Sequence, residues 1–144
     1  MSSRREVHLT IPVAPEMEIA ATAQVAALGE WMEMGRDKID EVKMAVVEAC
    51  INAFEHSGTP DRKVEIDFRI DYADDEHKRA YMEVDVNDSG QGFDPARLKS
   101  PDISSKLKSS RKRGWGIKII ESLMDDVRIE SGVNGTKIVM RKYR

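Results

Sequence analysis

The spacing of apolar residues along this chain switches between a period of two and a period of three to four, and the switches mark its elements. Residues 6–13, Glu-Val-His-Leu-Thr-Ile-Pro-Val, alternate apolar with polar and predict a strand. Pro12 cannot donate to a ladder, which makes it an edge strand. Pro15 is placed to open a helix running to about Met34, with Ile19, Ala23, Ala26, Ala27 and Trp31 on one broad apolar side. Gly35 ends it. A second helix starts at Arg36 or Asp37 and runs to about His56; Ile39, Val42, Val46, Ala49 and Ala53 recur at three and four and predict a core stripe. Ser57-Gly58-Thr59-Pro60 stops it.

Two alternating runs follow, the first with Val64, Ile66, Phe68 and Ile70, the second with Tyr81, Val84 and Val86. The acidic stretch from Asp71 to His77 separates them and reads as a solvated turn, so the pair predicts a long antiparallel hairpin with one face buried. Residues 89–113 lose all periodicity and collect Gly, Pro, Ser, Lys and Arg; a structureless loop of that length in a small domain is usually functional. A third helix is expected from Gly116 to about Met124, with Ile117, Ile120 and Met124 inward. Val127 and Ile129 then predict a strand, Asn134-Gly135 a turn, and residues 137–143 a closing strand. The order β-α-α-β-β-loop-α-β-β predicts an α+β two-layer sandwich, with helices on one face of a mixed, mostly antiparallel sheet.

A chain of 144 residues suits a single domain spanning 1–144, large enough to bury a core without staples. The net charge of −3 supplies no global basic field, which argues against direct nucleic-acid binding or adhesion to an anionic membrane. Cys50 is the one cysteine, so no internal disulfide forms, and its mid-helix apolar setting predicts a buried, inert thiol. No apolar run approaches the length of a membrane span, and the first residues lack a signal peptide's apolar core. A cytoplasmic setting is expected. His8, His56 and His77 do not cluster at zinc spacing.

Chemistry concentrates in three stretches. Glu48 and Asn52 stand four apart on the second helix and therefore share a face at the border of its apolar stripe. An Asn amide oxygen is a hard ligand suited to Mg²⁺, and a carboxylate beside it can polarise a water or a hydroxyl. The bland alternative is an exposed polar pair. Asp88 ends the central strand and meets Ser89-Gly90-Gln91-Gly92. Either this is an ordinary strand-to-turn transition, or Gly90 and Gly92 let backbone approach a flat ligand while Asp88 accepts a hydrogen bond from an adenine amine. Lys106, Lys108, Arg111, Lys112 and Arg113 crowd the end of the long loop, and Gly114 and Gly116 sit where the third helix begins. Free N–H groups and the positive end of the dipole make a helix start a phosphate site, and glycines let the backbone come close. No P-loop motif occurs.

These stretches resemble the three nucleotide-binding boxes of the GHKL ATPase superfamily, the Bergerat fold, which includes histidine-kinase ATP domains and type II topoisomerases. The wording is closest to the bacterial anti-sigma-factor serine/threonine-protein kinases: Glu48-Ala-Cys-Ile-Asn-Ala-Phe-Glu-His56, Val86-Asn-Asp-Ser-Gly-Gln-Gly-Phe-Asp-Pro95, Gly114-Trp-Gly-Ile and Leu123-Met-Asp-Asp-Val127. The likeness runs from about residue 6 to the C-terminus.

The resemblance implies roles. Glu48 would be the general base for a protein hydroxyl and Asn52 the Mg²⁺ ligand. Asp88 would read adenine, with Gly90 and Gly92 shaping its pocket and Thr136 supporting it. Residues 97–113 would form the ATP lid, with Arg113, Gly114 and Gly116 at the phosphates. The cofactors would be ATP and Mg²⁺. The implied function is an ATP-dependent kinase and anti-sigma factor: it phosphorylates a STAS-type anti-anti-sigma antagonist and sequesters a sigma factor in a partner switch. The family favours a homodimer. No phospho-accepting histidine helix is present in the sequence, and the lid's wealth of Lys and Arg, with Trp115 between two glycines, departs from the family pattern. The alternatives are a nucleotide-dependent binding module without catalysis, and a stressosome-type kinase that activates a phosphatase.

Overall fold

Alternate side chains of a strand point to opposite faces, and Val64, Ile66, Phe68 and Ile70 are all buried on one of them. The rest of the sheet falls into register with that row. The computed structural model describes residues 4–57, 63–72, 78–88, 115–132 and 135–144. In chain order these form β1 (Arg4–Pro12), α1 (Glu18–Trp31), α2 (Arg36–Ser57), β2 (Lys63–Asp71) and β3 (Tyr81–Asp88). A helix over 115–123, α3, then leads to β4 (Asp126–Gly132) and β5 (Gly135–Tyr143). Among the described residues the strands make one five-stranded sheet in the order β1-β2-β3-β5-β4. The expected two-layer sandwich forms, and where the sequence pattern predicted a mixed sheet, each pairing is antiparallel.

The register builds rows across the sheet. Val7, Phe68, Val84, Met140 and Val127 lie side by side under the helices. Further along, the row Ile11, Val64, Asp88, Thr136 and Ser131 turns polar on its β3 and β5 side. That polar end is the floor of the site. Tyr81 stands on the outer face, and Met82 takes the inward place beside Val84 and Val86. The outer face is charged: Arg69 donates to Glu83 at 2.7 Å and to Asp85 at 2.5 Å, and Arg141 donates to Glu83 at 3.0 Å.

α2 forms as expected, with Ile39, Val42, Val46, Ala49 and Ala53 buried. α1 differs from its prediction in start and in phase. Residues 15–17 form a turn in which Glu16 adopts a left-handed φ of 70°, and the helix begins at Glu18. Ala21, Val25 and Gly29 are buried, while Ile19 and Trp31 are 60% and 46% exposed and Ala23 and Ala27 face outward. The helix is apolar nearly all round, so its pattern could not select a face. Close approach fits this face: a Cβ on Gly29 would lie 2.6 Å from Cγ1 of Ile39, so a larger residue would force the Ile39 side chain to move. Trp31 instead packs edge-on against Tyr72, with ring centroids 4.6 Å apart. In α3, Ile120 is buried and Ile117 packs against the core, and Met124, just past the helix end, is buried too, as predicted.

Candidate functional site

One helical turn separates Glu48 from Asn52 on α2, and both lie on the flank of the buried stripe. Asn52 is buried at 8% exposure and Glu48 is partly exposed. Across from them runs the first turn of α3. Gly116 is buried there, and a Cβ added to it would stand 3.3 Å from Oε2 of Glu48. Backbone thus meets carboxylate at a spacing that a side chain would crowd.

The sheet supplies the other wall. Asp88 is the last residue of β3, and the register sets it opposite Thr136 of β5; they are 1% and 9% exposed. Oγ1 of Thr136 and Oγ of Ser131 lie 3.2 Å apart in a hydrogen bond. Asp88 has partners, while its Oδ2 is buried and accepts no hydrogen bond from the described residues. Ala49, Asn52, Ala53, Val86, Asp88, Thr136 and Ile138 line a narrow crevice in which the facing side chains nearly meet. Its lining, apolar with a few polar groups at one end, has the chemistry that a flat heterocycle needs, and the walls must part to admit one.

Glu48, Asn52, Asp88, Gly116 and Thr136 therefore gather at one end of the sandwich, from α2, β3, α3 and β5. Gly90, Gly92, Arg113 and Gly114, with the basic run and the lid assigned to 97–113, lie outside the described residues. The pattern of residues alone did not find Ala49, Ala53, Val86 and Ile138 as lining residues, because a core position and a pocket wall carry the same apolar signature. Ser131 was also missed; only the β4–β5 register shows that it faces Thr136.

Among the described residues no group of three or more His, Cys, Asp or Glu could hold a metal. The donors at hand are the Asn52 amide oxygen and the Glu48 carboxylate. Such a sparse oxygen set suits a hard cation that keeps waters and shares a ligand's phosphate oxygens. Cys50 is buried behind this face, and burial pushes its thiol up to about 12, with a smaller contribution from the charge of Glu18. A wider, open depression between Glu33, Gly35, Arg36, Asp37, Lys38 and Arg144 carries both signs of charge at the far end of α2. Among the described residues no helix is long and apolar enough to cross a membrane.

The fold and this gathering of residues define a histidine kinase-like ATPase domain. The model of that family matches residues 11–142, and the chain belongs to it. Within it, the chain is 30% identical over 142 residues to the serine-protein kinase RsbW of Bacillus velezensis, covering 95% of this chain and 84% of that one. It is 28% identical over 147 residues to the serine-protein kinase RsbW of Oceanobacillus iheyensis, covering 99% and 89%. The chain is accordingly a member of the RsbW-like serine-protein kinases. The fold recurs in the crystal structure of the RsbU and RsbW domains of Rv1364c from Mycobacterium tuberculosis, with a TM-score of 0.63 and 19% identity, over 97% of this chain and 33% of that one.

Proposed function

We propose that this protein binds ATP in the crevice and transfers its γ-phosphate to a serine or threonine of a STAS-type anti-anti-sigma antagonist, sequestering a sigma factor in the cytoplasm until the antagonist is dephosphorylated. The observation that carries this is the meeting of Glu48, Asn52 and Gly116 at one wall with Asp88 and Thr136 at the other. The likeness to serine-protein kinases over nearly the whole chain supports it.

Each residue takes a role its place allows. Asp88, fixed by its strand and almost fully buried, accepts a hydrogen bond from the adenine amine; Thr136 supports it across the register. The N–H groups at the start of α3 receive phosphate oxygens, and Gly116 keeps that approach open. Asn52 offers the oxygen for Mg²⁺, which when bound neutralises charge on the transferring phosphate. Glu48 takes the proton of the substrate hydroxyl. The hydroxyl oxygen forms a bond to the γ-phosphorus, the bond to the bridging oxygen breaks, and ADP leaves. Gly90, Gly92, Arg113 and Gly114 complete the adenine and phosphate contacts in this reading, and the acting form is a homodimer.

The test is incubation of the protein with Mg·ATP and a STAS-type antagonist, followed by mass spectrometry of the antagonist. The expected result is one phosphate on a serine or threonine. Tight ATP binding without transfer would replace this reading with that of a non-catalytic nucleotide-gated module. Transfer only to a scaffold protein, with no sigma factor bound, would replace it with the stressosome-type kinase.

A further inference from the structure

Lys142 lies on the inward face of β5, in the same row as Met82 and Ile70. Its side chain is 9% exposed. Its Nζ donates to Oε2 of Glu41 on α2 at 2.6 Å and to the backbone carbonyl of Leu123 at 2.6 Å. Leu123 is the last helical residue of α3, so that carbonyl has no partner within the helix, and a cation suits the negative end of the helix dipole. One ammonium group therefore ties the sheet, α2 and the C-terminal end of α3 together.

The spacings give this tie a consequence at the other end. Glu48 stands seven residues after Glu41, and Gly116 stands seven residues before Leu123. Each span is about 10.5 Å at 1.5 Å per residue, and two turns bring side chains back to the same face. α2 and α3 thus run alongside in opposite directions, tied by Lys142 at one end and meeting as Glu48 against Gly116 at the other. A slip of α3 by one residue would shift it by about 1.5 Å and turn it by about 100°. Trp115 or Ile117 would then face Glu48, where even a Cβ is crowded.

We infer that Lys142 is a positioning residue for phosphoryl transfer: it sets the register of α3 against α2, and through it the placement of the phosphate-binding helix start beside Glu48. The inference rests on the roles proposed above for Glu48 and Gly116. It concerns the γ-phosphate, the group that ATP has and ADP lacks, and not adenine, because Asp88 and Thr136 are carried by the sheet.

Lys142→Met keeps the apolar stem and removes both hydrogen bonds. Calorimetry with ATP and with ADP, together with single-turnover transfer to the antagonist, reads the effect. The expected result is ADP affinity close to the parent's, a clear loss of ATP affinity relative to ADP, and transfer slowed by about 100-fold, the scale of a displacement near 1 Å. Lys142→Arg, which retains a donor cation, should restore part of the rate. Glu41→Gln alters only a partly exposed side chain, so it keeps the test available if Lys142→Met does not fold; it should shift the ATP-to-ADP ratio in the same direction by a smaller factor. Lowered thermal stability with an unchanged affinity ratio and an unchanged rate would overturn the inference and leave the site reading standing. A parent protein that binds no ATP would overturn the site reading, and this inference with it.

Discussion

Cys50 illustrates how burial assigns chemistry at a single position. Burial pushes its thiol up to about 12, so the thiolate that reacts is absent across the neutral range. At pH 8 a soluble alkylating reagent should label it far more slowly in the native protein than in denaturant, and equal rates would show that the thiol is reached. The neighbouring Asn52 and the facing Asp88 predict two separable losses. Asp88→Asn leaves an amide where an acceptor is needed and should weaken ATP and ADP alike by about 10-fold to 100-fold, the worth of one hydrogen bond to a charged group. Calorimetry measures it, and unchanged affinity would remove Asp88 from the adenine contact. Asn52→Ala should remove the Mg²⁺-dependent part of ATP binding while leaving metal-free binding in place; an unaltered Mg²⁺ titration would exclude Asn52 as the ligand. Both positions were readable in the sequence as residue types on elements, because a helix spacing of four and a strand end are local facts.

At the scale of elements, close packing outweighs periodicity. α1 carries apolar residues on nearly every side, and its buried face is the one where Gly29 meets Ile39. Gly29→Ala is therefore expected to destabilise the protein by about 1–3 kcal/mol in urea unfolding, although alanine is the better helix former. Combining it with Ile39→Ala should cost less than the sum of the two, since the second change removes the obstructing atoms. The β1–β2 pairing sets His8 beside Asp67 on the outer face, where a hydrogen bond and the carboxylate's charge raise the imidazole above its usual 6.5. A raised value means the pair stabilises β1 below the imidazole's usual 6.5 wherever Asp67 is ionised, and the contribution is lost as pH rises through the raised midpoint. NMR titration of His8 should give a midpoint above 6.5, and Asp67→Asn should bring it down.

For the molecule as a whole, the sandwich was legible in the sequence because its strands alternate cleanly and α2 keeps a strict stripe. The candidate site was readable in the sequence as three separate stretches, of which the described residues include Glu48, Asn52, Asp88 and Gly116, yet what joins these was not. The register that sets Asp88 opposite Thr136, the approach of Gly116 to Glu48 and the reach of Lys142 to Glu41 and Leu123 are all contacts between residues far apart in the chain. No local period encodes such pairings; they follow from how the layers close. Glu48, proposed as the proton acceptor, stands at the centre of that closure, and its removal is the decisive test. Single-turnover transfer from Mg·ATP to the antagonist is measured for the parent and for Glu48→Ala, with ATP affinity measured on the same preparations. The expected result is affinity within a small factor of the parent's and transfer slowed by at least about 100-fold. Transfer at the parent's rate by a Glu48→Ala protein would show that another group takes the proton.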